Sequence, residues 1–178
     1  NWMFYFGGGK DISAHHKRWG MNEKGLYAWE RFDERFDATK TPNEANRFGW
    51  VVEVDPMDPS STPIKRTALG RAAHEGAWVA LTQDQRAVVY SGEDARFEYI
   101  YKFVSTAVWD AADANPASRI AAGDKYLDQG KLYVAKFNSD GSGTWVELTH
   151  GKNGLTAANT TYAFADQADV VIHSRLAG

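Results

Sequence analysis

Three acidic residues have the type and spacing that best suit a functional site, in particular one that binds a cation. Glu75 follows His74 at the start of an apolar stretch, and Glu93 and Asp94 are neighbours in a short polar segment. A carboxylate that opens an apolar strand loses hydration, so it needs a compensating cation. That cation is either an arginine, for which Arg71 is the nearest candidate, or a metal ion. The sequence leaves both interpretations open.

The surrounding strands predict that these carboxylates converge. Residues 74–81 are apolar and predict an inner strand buried on both faces, and residues 86–90 predict the next strand. Aromatic residues alternate over 97–104, so 91–96 is expected to be a connection. In an up-and-down meander that connection lies beside the start of the strand 74–81, which gathers Glu75, Glu93 and Asp94 at one rim. Hard carboxylate oxygens at a rim suit calcium or a similar cation; a solvated acidic turn is the alternative.

The rest of the chain predicts a mainly β fold. Residues 1–45 are rich in loops, 46–104 hold short strands, 105–130 look irregular, and 131–149 form a hairpin around an Asp-Gly turn. Apolar residues at helical spacing predict an amphipathic helix at about 164–177. Short antiparallel strands with turns between them are typical of a sandwich, a barrel or a propeller.

Composition excludes several classes of protein. Lys and Arg number 20 against 23 Asp and Glu in 178 residues, and no basic patch suggests a nucleic-acid partner. No apolar run approaches the roughly 18 to 20 residues that a membrane span requires. The chain has no Cys, so disulfides and thiol chemistry are absent from it. Trp78 stands where a zinc protease motif beginning at His74 needs its second His.

Several longer segments, taken in order, are similar to one family. They resemble the PhoX family of bacterial alkaline phosphatases, and they comprise residues 48–56, 65–71, 74–77, 92–103 and 130–137. The resemblance implies a portion of a β-propeller with antiparallel blades, closed by the C-terminal helix. It also implies hydrolysis of small phosphate monoesters at a site with calcium and ferric iron. A periplasmic or secreted location, reached by twin-arginine export, is part of the same expectation.

The resemblance also assigns roles to particular residues. Glu75, in the segment His-Glu-Gly-Ala, is the metal ligand that it implies, and Glu93 and Asp94 are further candidates from the rim argument. Arg71 and His74 would orient the carboxylate. The family's iron ligand includes a Cys, which this chain lacks. We therefore expect an internal portion of such an enzyme, catalytically incomplete alone and dependent on the remaining propeller segments, with no catalytic residue assigned.

Two other functions remain open from the sequence. The chain could be a propeller scaffold or interaction module without catalysis of its own, which the missing Cys favours for the isolated chain. Alternatively, the parent protein could be a related calcium-dependent propeller that cleaves esters or lactones. A substrate profile separates these alternatives.

Overall fold

The computed structural model describes residues 2–178, which form two compact units divided between Gly49 and Trp50. The first unit contains the helix α1 (Ala14–Arg18) and short 3-10 turns at Trp2–Tyr5, Trp29–Arg31, Glu34–Phe36 and Glu44–Arg47. Its buried residues include Trp2, Phe6, Trp19 and Phe36, and the ring centroids of Phe6 and Phe36 lie 5.3 Å apart. The aromatic residues between 27 and 37 lie in short 3-10 turns and the loops around them, in keeping with the loop-rich segment expected over 1–45.

The second unit is built on an antiparallel sheet. Two short strands, β1 (Val52–Glu53) and β2 (Ile64–Lys65), pair with each other. Five strands follow in the order β3-β4-β5-β6-β7: β3 (His74–Leu81), β4 (Arg86–Glu93), β5 (Ile100–Val108), β6 (Gly130–Phe137) and β7 (Gly143–Glu147). Because each strand pairs with the next in sequence, the sheet is the predicted meander. The mainly β fold class is confirmed.

One face of this sheet carries the core. Alternating residues of the central strands are buried on it, among them Val89, Tyr101, Phe103 and Leu132. The segment after β7 folds over this face and adds Leu148, Leu155, Phe164 and Val170. The alternation that predicted strands thus also identified the core residues of β5.

The strand β3 differs from its prediction. It was expected to be an inner strand buried on both faces, but it forms an edge of the sheet and most of its residues are exposed. Trp78 is 79 % exposed and Val79 is 62 % exposed. An apolar run alone does not distinguish an inner strand from an edge strand, because sheet order depends on pairing distant in sequence.

The helices also differ from their predictions. Residues 105–130, expected to be irregular, contain the end of β5 and the helix α2 (Arg119–Leu127), which Ser118 caps by accepting a hydrogen bond from the backbone N–H of Ala121. The expected C-terminal helix is two short helices, α3 (Gln167–Ile172) and α4 (Ser174–Ala177), with non-helical backbone at His173 between them. Asp166 caps α3 near the expected start. No helix of residues 2–178 is long and apolar enough to span a membrane.

Candidate functional site

Glu75 lies on a bulge at the start of β3. His74 and Glu75 pair with Glu93 and Gly92, but the next pair is Trp78 with Tyr90, so β3 holds one extra residue between these pairs. Gly76, in the middle of this segment, has a φ of +78°, a conformation that favours glycine. We call residues 75–78 the Glu75 bulge. The carboxylate of Glu75 is exposed and forms no ion pair with any residue between 2 and 178.

A buried serine on the neighbouring strand holds the Glu75 bulge. The hydroxyl of Ser91 donates to the carbonyl oxygen of Gly76 at 2.8 Å and lies 2.6 Å from Nδ1 of His74. Ser91 is 7 % exposed. Both sequence neighbours of Glu75 are therefore bound to one side chain.

His74 is fixed at both ring nitrogens. Its Nε2 lies 3.0 Å from the carbonyl oxygen of Gly70, opposite the contact of Nδ1 with Ser91. Burial lowers the pKa of His74, and the neighbouring Gly70 carbonyl and Glu93 only partly offset this effect. A lowered pKa favours the neutral ring, in which Nε2–H donates to the carbonyl of Gly70, so that the single hydroxyl proton of Ser91 is shared between Nδ1 of His74 and the carbonyl oxygen of Gly76.

Glu93 forms a buried ion pair with an arginine. Its side chain is fully buried, and Oε1 and Oε2 each accept a hydrogen bond of 2.8 Å from the guanidinium of Arg175 in α4. Oε2 also accepts from the backbone N–H of Ala73 at 3.0 Å. Burial, and then the charge of Glu93, raise the pKa of the nearby Tyr101 hydroxyl. Hydrogen bonds from Arg175 and Ala73 thus already compensate the negative charge of the Glu93 carboxylate, as a metal ion would.

Arg71 joins the helices α3 and α4 to the start of β3. Its backbone N–H donates to the carbonyl of Val171 at 2.9 Å, and its carbonyl accepts from the hydroxyl of Ser174. Its side chain is fully buried, and burial followed by the charge of Arg175 lowers its pKa. No ion pair joins it to the exposed Glu75. Arg71 thus does not supply the arginine partner that the sequence offered for Glu75.

Asp94 is exposed next to the Glu75 bulge. Its backbone N–H donates to the carbonyl of Ala73 at 3.0 Å, which fixes it beside the start of β3. Its carboxylate, like that of Glu75, forms no ion pair within the described residues. The connection predicted at 91–96 begins later, because Ser91–Glu93 continues β4 between β3 and β5, and Asp94 is the first residue after the strand.

The three candidate carboxylates differ in how available their oxygens are to a metal ion. Glu75 and Asp94 present exposed oxygens, the ligand type that hard cations prefer. Both oxygens of Glu93 are buried and accept hydrogen bonds from Arg175, so Glu93 offers fewer open lone pairs to a cation than Glu75 or Asp94. Within residues 2–178, no group of three or more His, Cys, Asp or Glu side chains is placed to hold a metal ion. Since calcium takes about 6–8 oxygen ligands, Glu75 and Asp94 can supply only part of a site.

The fold and the bulge give an antiparallel meander in which Glu75 and Asp94 are exposed at one rim and form no ion pair with residues 2–178. The chain belongs to the alkaline phosphatase PhoX family, whose model matches residues 1–178.

One solved structure is similar over nearly the whole chain. It is described as Pseudomonas fluorescens PhoX in complex with vanadate, a transition state analogue, and is 48% identical with a TM-score of 0.86. The match covers 98% of this chain and 31% of that chain. The chain therefore spans about a third of the length of this relative, and the β-propeller-like fold predicted from the resemblance is confirmed for the part it spans. No curated protein matched the chain significantly.

Sequence reasoning missed the residues that hold the site. Arg175 lies 82 positions from Glu93, and Ser91 is 15 positions from Gly76. Neither stands in a local motif with its partner. The available signal was the spacing of Arg175, which follows Val171 by four and Ile172 by three residues and so lies on the apolar face of the predicted helix, where a buried charge requires a partner.

Proposed function

We propose that this chain supplies one rim of the metal site of an alkaline phosphatase that hydrolyses phosphate monoesters. The observation that carries the proposal is the match of the whole chain to the PhoX family. The 48% identical relative was solved with vanadate, described as a transition state analogue. Vanadate resembles a phosphoryl group under attack, so the same chemistry is proposed for the protein that contains this chain.

Calcium and ferric iron are the proposed cations, with Glu75 and Asp94 as ligands from this chain. Both carboxylates are exposed at the same end of β3 and β4 and are free of ion pairs with the described residues. Cations bound there would neutralise the charge that develops on the phosphoryl oxygens. The remaining ligands, including any Cys, would come from other segments of the propeller, because this sequence has none.

The residues of this chain would act by holding those carboxylates in place. The Glu75 bulge places Glu75 at the exposed edge of the sheet, while the hydroxyl of Ser91 contacts the side chain of His74 before it and the backbone of Gly76 after it. Glu93 and Arg175 fix Ala73, whose carbonyl in turn holds the backbone of Asp94. Preorganised ligands reduce the cost of ordering the site when the cation and substrate bind. A periplasmic or secreted location is proposed with this function.

The test uses the full-length protein in which this chain occurs. Hydrolysis of p-nitrophenyl phosphate at alkaline pH, with and without a calcium chelator, is compared for wild type, Glu75→Gln and Asp140→Asn. Asp140 lies in the hairpin turn between β6 and β7, where it binds Ser142, and so provides a matched acid-to-amide control. We expect chelator-sensitive hydrolysis in wild type and in Asp140→Asn, and loss of both metal and rate in Glu75→Gln.

Other outcomes would contradict the proposal in distinct ways. Hydrolysis of p-nitrophenyl acetate without hydrolysis of the phosphate would indicate an esterase. Inactivity toward both substrates, in folded wild-type protein with its metals, would indicate a scaffold. Unchanged metal content and rate in Glu75→Gln would remove Glu75 from the site.

A further inference from the structure

We propose that Ser91 is a positioning residue that sets the direction of the Glu75 carboxylate, while Glu93 is a structural partner of Arg175 and not a metal ligand. The proposal deepens the proposed function and rests on it. Ser91 lies in the segment 91–96, of which the sequence singled out only the acidic residues Glu93 and Asp94.

The first step is the position of Ser91 relative to Glu75. Its hydroxyl bridges the residue before Glu75, at Nδ1 of His74, and the residue after it, at the carbonyl of Gly76. Glu75 is therefore attached to the sheet through two neighbours that share one buried anchor. A change at this hydroxyl alters the contact with the His74 side chain on one side of Glu75 and the contact with the Gly76 backbone on the other.

The second step is the lack of other restraints on this segment. The bulge interrupts the regular pairing of β3 with β4 between Glu75 and Trp78. β3 is also the edge of its sheet, so no further strand within the described residues pairs with its outer side. Gly76 has no atom within 4 Å of the position that a Cβ would take, so side-chain packing does not hold it. The hydroxyl of Ser91 is consequently the principal side-chain restraint on the backbone of the bulge.

The third step is the division of labour between Ser91 and Glu93. The ion pair of Glu93 with Arg175 is almost completely excluded from solvent, with side chains 0% and 3% exposed. Releasing Glu93 to bind a metal would leave the guanidinium of Arg175 buried without its carboxylate, which is costly. Glu93 instead fixes the backbone at Ala73, before His74, whereas Ser91 fixes the backbone at the bulge itself.

The experiment compares two buried serines of the same sheet in the full-length protein. Ser91→Ala removes the anchor of the bulge, and Ser105→Ala removes a hydroxyl on β5 that accepts only from the backbone of Ala107. Ser105 is 2% exposed, so the two substitutions are matched in burial. Calcium affinity is measured by chelator competition, together with kcat, KM and the thermal midpoint.

We expect Ser91→Ala to bind calcium about 10- to 100-fold more weakly, as is typical when a residue that orients a ligand is lost. Excess calcium restores much of its kcat, because Glu75 is misdirected but present; Glu75→Gln is not restored. Ser91→Thr, which keeps the hydroxyl, binds calcium more tightly than Ser91→Ala. Ser105→Ala retains wild-type affinity.

Wild-type affinity in Ser91→Ala, or an equal loss in Ser105→Ala, would overturn the proposal. If Ser91→Ala does not fold, Ser91→Cys, which preserves the side-chain shape but donates only weakly, is judged by the same criteria. Failure of the proposed function has a different signature, since Glu75→Gln would then retain its metal and rate.

Discussion

Two clusters in the second unit combine carboxylates with a buried arginine, and they differ in how many carboxylates remain free. Around Arg66, whose side chain is fully buried, three carboxylates bind one guanidinium, namely Glu53, Asp124 and Asp128. At the rim of β3 and β4, only Glu93 is bound to an arginine, and Glu75 and Asp94 are left exposed. The position of the arginines, and not the number of acids, decides which carboxylates can bind a ligand.

The two arginines also differ in how exposed their carboxylate partners are to solvent. Burial opposes the charge on Arg66, but the hydrogen bonds that it donates to three carboxylates outweigh that effect and raise its pKa. Asp124 and Asp128 are themselves 55% and 42% exposed. The Arg66 cluster is therefore a partly exposed network of ion pairs that holds α2 against β1 and β2. The pair of Glu93 and Arg175 is enclosed, so it tolerates the loss of a partner far less.

The largest effect is expected at the enclosed pair. Arg175→Met leaves the Glu93 carboxylate buried without its cation, which should lower the free energy of unfolding by about 3–5 kcal/mol. Urea denaturation measures the change. Lys40→Met serves as the control, because the Lys40 to Glu34 pair is exposed and its loss should leave the midpoint unchanged. Equal midpoints for Arg175→Met and wild type would contradict the enclosed character of this pair.

A moderate effect is expected at the centre of the Arg66 cluster. A Cβ at Gly123 would lie 2.2 Å from Oε2 of Glu53 and 2.4 Å from Nη2 of Arg66. Gly123→Ala should therefore displace the side chains of Glu53 and Arg66. We expect it to lower the free energy of unfolding by about 1–3 kcal/mol, despite the better helix propensity of alanine. Gly92→Ala is the control, since its Cβ would meet no atom closer than 4.0 Å. A stabilised Gly123→Ala protein would show that the cluster is not closely packed.

The smallest effect is expected at the solvent side of the same cluster. Asp124→Asn should cost less than about 1 kcal/mol, because the carboxylate is half exposed and Arg66 keeps two other partners. The same denaturation series measures it, and the comparison with Arg175→Met tests the contrast between the clusters. A loss for Asp124→Asn as large as that for Arg175→Met would remove the distinction.

The sequence predicted those parts of the fold that depend on local patterns. Alternation identified β5 and its buried Tyr101 and Phe103, although the strand begins at Ile100 rather than at residue 97, because Phe97 is fully exposed with a φ of +65°. The Asp140-Gly141 turn identified the hairpin of β6 and β7. The strand order follows the expected meander, but the edge position of β3 was missed, because it depends on whether a distant segment pairs with the outer side of β3, which no local pattern shows.

The candidate site was predictable only in part for the same reason. The meander argument placed the ends of β3 and β4 side by side, as the pairing of His74 with Glu93 confirms. It could not separate Glu93 from Asp94, since their environments depend on Arg175 in a distant helix. The roles of Glu75 and Asp94 as metal ligands remain predictions.

A crystal structure of the full-length protein with its metals, with anomalous data to locate the cations, tests the central claim most directly. The account predicts a cation with an oxygen of Glu75 at about 2.3–2.6 Å if it is calcium, and Glu93 still bonded to Arg175. A cation bound by Glu93, or no cation near Glu75 in a metal-loaded active protein, would contradict it.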